Sequence, residues 1–201
     1  MLLYAATKNE GKLREFVKAA ARSPVKDLHI QPLPGLSEIE PPVESGSTFA
    51  ENAAIKAQYY SRFINGFVFA DDSGLEVDAL QGAPGVYSAR YAGEDATDAE
   101  NNALLLENLL GVKNRAARFV CVIALARHGR VLFTTQGSVE GEILTAERGL
   151  QGFGYDPLFF FPPFSRTFAE ISQQDKFQVS HRGLAFRALL DRIAACALDG
   201  S

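Results

Sequence analysis

Phe67-Val68-Phe69-Ala70 has no polar position and runs directly into Asp71-Asp72-Ser73-Gly74. An unbroken apolar run bounded by turn residues reads as a strand covered on both faces, so it requires helices above and below it. Carboxylates at the C-terminal end of such a strand lie where open α/β sheets take their ligands. Consecutive strand residues face opposite sides, so Asp71 and Asp72 share one pocket only if the strand breaks first. The sequence predicts that the strand ends at Asp71-Asp72-Ser73-Gly74 and that extended structure resumes over 75–80. Aspartates that merely cap a turn are the competing reading.

The rest of the chain supplies matching elements. Residues 2–6 read as a short buried strand, and 12–21 as a helix with apolar spacing at Leu13, Phe16, Val17 and Ala20. A second strand is expected over 28–33. Pro32, Pro34, Pro41 and Pro42 then hold an extended loop up to Ser47. Thr48 and Glu51 have capping-box spacing for a helix reaching about residue 63, and Thr97 and Glu100 repeat the pattern for a Leu-rich helix stopped by Gly111. His128-Gly129 is a two-residue hairpin signal between strands over 118–127 and 130–135, which makes His128 a turn residue. Residues 149–163 are rich in Gly and aromatics, and Ser180 is placed to cap a last helix over 184 to about 198. No repeat or low-complexity stretch interrupts this order. The alternation predicts an α/β fold with a mixed central β-sheet flanked by helices. The length fits one domain over 1–201.

Charge and cysteine usage exclude several classes. Twenty Lys and Arg against 24 Asp and Glu give a net charge of −4, the wrong sign for a protein that lives on nucleic acid. The longest apolar run, Phe119 to Ala126, is far short of the roughly 20 residues that cross a bilayer. The N-terminus meets Thr7-Lys8-Asn9 too soon for a secretory signal. Cys121 and Cys196 form no CxxC, which fits a reducing cytoplasm and thiols used as small buried hydrophobes.

Five constellations carry chemistry. Thr7-Lys8-Asn9-Glu10-Gly11-Lys12 joins a strand to a helix, where backbone N–H groups and two lysines attract anions; a solvated turn is the alternative. Glu38, Glu40, Glu44, Glu51, Asp71 and Asp72 are oxygen donors without a nearby His or Cys, a set suited to Mg²⁺ or Mn²⁺. Asn52 and Lys56 are four apart on one helix face, where the lysine reaches either a phosphate or a carboxylate. Gly152-Phe153-Gly154-Tyr155-Asp156-Pro157 leaves room for a flat ring beside an aromatic, although core packing explains any one aromatic equally well. Lys176 with Ser180-His181-Arg182 presents donors that suit purine O6 and N7 and oppose a 6-amino group; His181 and Arg182 as surface residues at a helix start are the alternative.

Together these motifs resemble the inosine triphosphate pyrophosphatase family, the XTP/dITP diphosphatases. The resemblance rests on Ala6-Thr7-Lys8-Asn9 with Lys12 and Glu15, Thr48 to Ala53 with Lys56-Ala57, Ala70 to Leu75, Gly82 to Tyr91, Gly152 to Pro157 and Ser180-His181-Arg182, in family order along nearly the whole chain. It implies two lobes with a nucleotide cleft between them, and hydrolysis of ITP, dITP and XTP to nucleoside monophosphate and pyrophosphate. A homodimer and Mg²⁺ are also implied, with the cellular role of removing deaminated purines. By position, Thr7, Lys8, Asn9, Glu10, Gly11 and Lys12 hold the triphosphate with help from Lys56. Glu44 and Asp72 bind metal, Asp72 accepts the proton of water, and Ser73 touches substrate. Phe153, Gly154, Tyr155, Asp156, Lys176, His181 and Arg182 form the base pocket. Two positions depart from the family pattern: Phe177 follows Lys176 where Asn is common, and Lys8 stands where small or varied residues are common. A pyrophosphatase for modified pyrimidine nucleotides and a non-catalytic nucleotide sensor are the alternatives.

Overall fold

The computed structural model describes residues 1–21, 25 and 27–196. The strands are β1 (Leu2–Ala5), β2 (His29–Pro32), β3 (Phe67–Val77), β4 (Ala116–Arg127), β5 (Arg130–Ile143), β6 (Phe159–Phe161) and β7 (Arg166–Thr167). The helices are α1 (Glu10–Ala20), α2 (Phe49–Tyr60), α3 (Asp98–Asn108), α4 (Gln173–Val179) and α5 (His181–Cys196). One mixed sheet runs in the order β2-β1-β3-β4-β5-β6-β7 and is flanked by helices. β1 pairs in parallel with β2 and β3, and β6 pairs antiparallel with β5 and β7.

Local signals decide several elements. Both capping boxes form: Thr48 and Thr97 accept from the amides of Glu51 and Glu100, whose carboxylates return the bond. His128 and Gly129 both have positive φ, 52° and 74°, as a two-residue turn between β4 and β5 requires. Other expectations are corrected. β3 does not break at Asp71-Asp72-Ser73-Gly74 but continues to Val77, and residues 78–80 turn into a short 3₁₀ segment. The last helix starts at His181, three residues before the expected start and directly after Ser180, which also closes α4. Its expected end near residue 198 lies outside the described residues. No helix among those described is long and apolar enough to cross a membrane.

By internal contacts the chain divides into two compact units, each discontinuous in sequence. The first comprises Met1–Asp72, Cys121–Gly137 and Arg182–Ser201; the second comprises Ser73–Val120 and Ser138–His181. The first unit's core includes Phe16, Phe69 and Phe186, all buried, with ring centroids 5.1–6.0 Å apart. Phe69 thus packs against α1 and α5. Cys121 is buried in this unit, and burial pushes its thiol up to about 12, so it behaves as an inert small hydrophobe. In the second unit, Leu75, Val77, Leu105, Leu109, Phe119, Phe159 and Phe168 belong to a separate apolar core.

Phe69→Ala empties the centre of the first core and should cost about 3–5 kcal/mol. Urea denaturation measures this, against a control change at the fully exposed Leu150 that should stay within about 0.5 kcal/mol. A Phe69→Ala loss no larger than the control would contradict the packing described.

Candidate active site

In the first unit, unbroken β3 presents its two aspartates to different helices. Phe69 and Asp71 share a face. Asp71 Oδ2 accepts from Lys12 Nζ on α1 at 2.6 Å and lies 3.9 Å from Arg182 Nε on α5. Arg182 Nη1 also donates to buried Glu15 at 2.9 Å. Asp72 turns the other way, toward α2. Its Oδ1 accepts from Lys56 Nζ at 2.8 Å, and Asn52 Nδ2 lies 3.5 Å from Oδ2. Lys56 Nζ also donates to Glu44 at 2.9 Å, so Glu44 and Asp72 converge on one ammonium.

These surroundings set the two aspartates in opposite directions. Burial pushes Asp71 upward, but Lys12, Arg182 and Lys56 outweigh it and hold the carboxyl below its usual value of 3.8. Asp72 is raised: burial dominates, Lys56 pulls the other way, and Glu44 adds repulsion. Lys56 is itself raised, because Asp72, Asp71 and Glu44 together overcome its desolvation. Among the described residues, the ion pairs of this cluster set three cations against four carboxylates. It therefore carries an excess of negative charge and is not an anion trap on its own.

The loop before α1 is built as a helix cap. Asn9 N donates to Thr7 Oγ1 at 3.2 Å, and Lys12 N donates to Asn9 Oδ1 at 3.0 Å. Lys8 and Glu10 are exposed, and Glu10 pairs with Arg14 at 3.1 Å. Across the following turn, Gly46 donates its N–H to Asn52 Oδ1 at 2.8 Å. A Cβ at Gly46 would come within 2.6 Å of that same oxygen, so only glycine lets the backbone approach this closely.

In the second unit, Asp156 Oδ2 accepts from Phe153 N at 2.9 Å and from Lys176 Nζ at 2.5 Å. Both ions of the Lys176–Asp156 pair are almost wholly buried, and the ammonium lies 4.9 Å from the Phe153 ring centroid. A Cβ at Gly152, where φ is +81°, would collide with the Asp156 carboxylate. Phe177, one of the departures from the family pattern, is buried beside Lys176 in α4 and leaves that pair intact. His181 stacks on Phe119 with ring centroids 4.7 Å apart. Tyr155 is a core residue whose hydroxyl donates to the Ser88 carbonyl at 2.8 Å, and burial raises its pKa.

The geometry therefore gathers Lys12, Glu44, Lys56, Asp72 and Arg182 in one unit, and Phe153, Asp156, Lys176 and His181 in the other. Arg182 lies with Glu15 and Asp71. Glu15, Asn52 and Asp71 join this set; the sequence singles out all three, but the resemblance assigns them no role. Asn52 was signalled by its spacing from Lys56 and Asp71 by its neighbour. Glu15 sits beside Phe16 at the edge of the apolar stripe of α1, which was the one local sign of its burial.

An α/β protein with interleaved lysines and carboxylates in one unit, and aromatics around a buried ion pair in the other, has the groups needed to handle a nucleotide. The chain belongs to the Ham1 family, whose model matches residues 3–192. It is 50% identical to a dITP/XTP pyrophosphatase of Acidobacterium capsulatum over 96% of this chain and 98% of that one. It is also 50% identical to a dITP/XTP pyrophosphatase of Listeria monocytogenes, over 92% and 90%. The solved structure of the Staphylococcus aureus Ham1 protein is 39% identical, covers 97% of this chain and 99% of its own, and matches with a TM-score of 0.86.

Asp71 provides a pH test. Its depressed folded value means that its contribution is fully present above 3.8 and is lost as pH falls through the folded value. Asp71→Asn leaves Lys12 and Arg182 short of a buried counter-charge and should cost about 3–5 kcal/mol at pH 7. It should also flatten the acid loss of stability below pH 3.8 relative to the unmodified protein. Chemical denaturation across pH 2–7 reads both effects, and an unchanged acid slope would contradict the pairing.

Proposed function

We propose that this chain hydrolyses the non-canonical purine nucleoside triphosphates dITP, XTP and ITP to nucleoside monophosphate and pyrophosphate, clearing deaminated purines from the nucleotide pool. The observation that carries the reading is the convergence of Glu44 and Asp72 on one cation inside a cluster bordered by Lys12 and Arg182. The names of relatives half identical over nearly the full chain support it.

A triphosphate is an unsuitable guest for a cluster with surplus carboxylate unless a divalent cation accompanies it. Two carboxylates that already meet at a single positive atom fit such an ion, Mg²⁺ with Mn²⁺ as a substitute. No group of three or more His, Cys, Asp or Glu among the described residues makes a closed cage, and Mg²⁺ commonly relies on one or two carboxylates plus substrate phosphates. When bound by Glu44 and Asp72, the ion supplies charge neutralisation and a more acidic water. Asp72, with its raised pKa, accepts the proton of the attacking water. Lys12 and Lys56 hold charge on the departing pyrophosphate, aided by the amides that open α1. Thr7, Lys8, Asn9, Glu10 and Gly11 shape that anion-binding turn, and Ser73 extends the site one residue past Asp72.

The base belongs to the other group of residues in this reading. Phe153 offers a ring face, and Lys176 and Asp156 a donor and an acceptor, with Gly154, Tyr155 and His181 completing the surroundings. By resemblance alone Arg182 also belongs to the base; in the first unit its guanidinium is held by Glu15 and Asp71. The resemblance alone supports a homodimer, whereas for a cytoplasmic setting it is joined by the absence of CxxC pairing.

Pyrophosphate release with Mg²⁺ tests the proposal: dITP and XTP should turn over well ahead of dATP and of modified dUTP. Binding without release would indicate a sensor, and faster turnover of the modified pyrimidine would overturn the purine assignment. Asp72→Asn should cut turnover about 10²–10⁴-fold. Unlike Asp71→Asn it should leave stability near that of the unmodified protein, since burial already opposes the Asp72 charge. Near-normal turnover by the folded variant would remove Asp72 from the mechanism.

A further inference from the structure

The segment carrying Phe153 and Asp156 contains two left-handed glycines, Gly152 at φ +81° and Gly154 at φ +62°. Such a turn has wide conformational freedom unless something outside it fixes the backbone. α3 does so. Asp98 and Asn102 are four apart and lie on one helix face. Asp98 Oδ2 accepts from Gly154 N at 2.6 Å, and Asn102 Nδ2 donates to Gly154 O at 3.3 Å. Both backbone polar groups of one glycine are therefore held by one helix.

The clamp is itself anchored. Thr97 and Glu100 form the capping box that fixes the first turn of α3, where Asp98 sits. Asn102 Nδ2 also donates to Glu147 Oε1 at 2.8 Å, which orients the amide with its nitrogen toward Gly154. Its Oδ1 is buried with no hydrogen-bond partner among the described residues. An apolar residue would avoid that penalty, so what the amide contributes is its donor to Glu147 and Gly154. From Gly154 the constraint passes to either side: to Phe153, whose N–H donates to Asp156, and to Asp156, which holds Lys176.

We propose that Asp98 and Asn102 are positioning residues for purine recognition. They act through Gly154 to hold the Phe153 ring and the Asp156–Lys176 pair in the arrangement that distinguishes a 6-oxo from a 6-amino purine. This rests on the base assignment given under Proposed function. Neither side chain is assigned contact with substrate, so their removal changes base selectivity and leaves the polyphosphate cluster of the other unit untouched.

The experiment measures calorimetric binding of IMP, AMP and inorganic tripolyphosphate to the full chain and to Asp98→Ala, Asp98→Asn, Asn102→Ala and Asn102→Asp. Circular dichroism and thermal melting identify the folded variants. Asp98→Ala and Asn102→Ala should weaken IMP about tenfold, bring the IMP-to-AMP preference close to one, and leave tripolyphosphate binding within about twofold, in line with the loss of a single hydrogen bond. Asp98→Asn keeps an acceptor and should retain most of the preference. Asn102→Asp loses the donor and sets a carboxylate against Glu147, so it should behave like Asn102→Ala. Should an alanine variant fail to fold, the two isosteric changes carry the same comparison. Folded variants that keep the full preference, or lose IMP and tripolyphosphate in equal measure, would overturn the clamp. An unmodified protein that binds IMP no better than AMP would overturn the base assignment and the clamp with it.

Discussion

The opposite facing of two adjacent carboxylates on one unbroken strand is the constraint on which the rest depends. A β-strand sends neighbouring side chains to opposite sides. Continuing β3 past Ala70 therefore commits Asp71 to α1 and α5, and Asp72 to α2. Each then acquires its own cations: Lys12 and Arg182 for Asp71, Lys56 for Asp72. The consequence is a division of labour. Asp71 is wholly buried and over-compensated, so it stays ionised and anchors two cations. Asp72 shares a single ammonium with Glu44 and keeps a raised proton affinity, the property a proton acceptor needs.

The second unit solves a different problem by the same means. A buried Lys176–Asp156 pair is tolerated because each ion has other partners: the carboxylate accepts the Phe153 amide, and the ammonium lies over an aromatic ring. Gly152 leaves the space in which that carboxylate sits. The pair is thus tied to the backbone of the loop that carries it.

Much of this was legible in the sequence where the physics is local. Capping boxes and the hairpin turn are decided within a few residues, and they formed as read. The strand through Ser73-Gly74 was not legible, because its turn-like composition is overridden by pairing within the sheet. β6 and β7 are only three and two residues long, too short to show a period, and the seven-residue α4 stops at the same Ser180 after which α5 begins. Glu15 was hidden for another reason. Its partner Arg182 is 167 positions away, and a glutamate on an amphipathic helix ordinarily faces water. Asp98 and Asn102 have no signal beyond their shared helix face, since the group they hold is a backbone amide some fifty residues on. The side chains that meet in each unit were largely named from the sequence, whereas the distant partners that hold them were not.

Carbon-detected NMR titration of the two neighbouring carboxyl groups tests the central claim most directly. The account predicts that Asp71 titrates below 3.8 and Asp72 above it in the same folded sample. Finding the order reversed, or both groups together at the ordinary value, would contradict it.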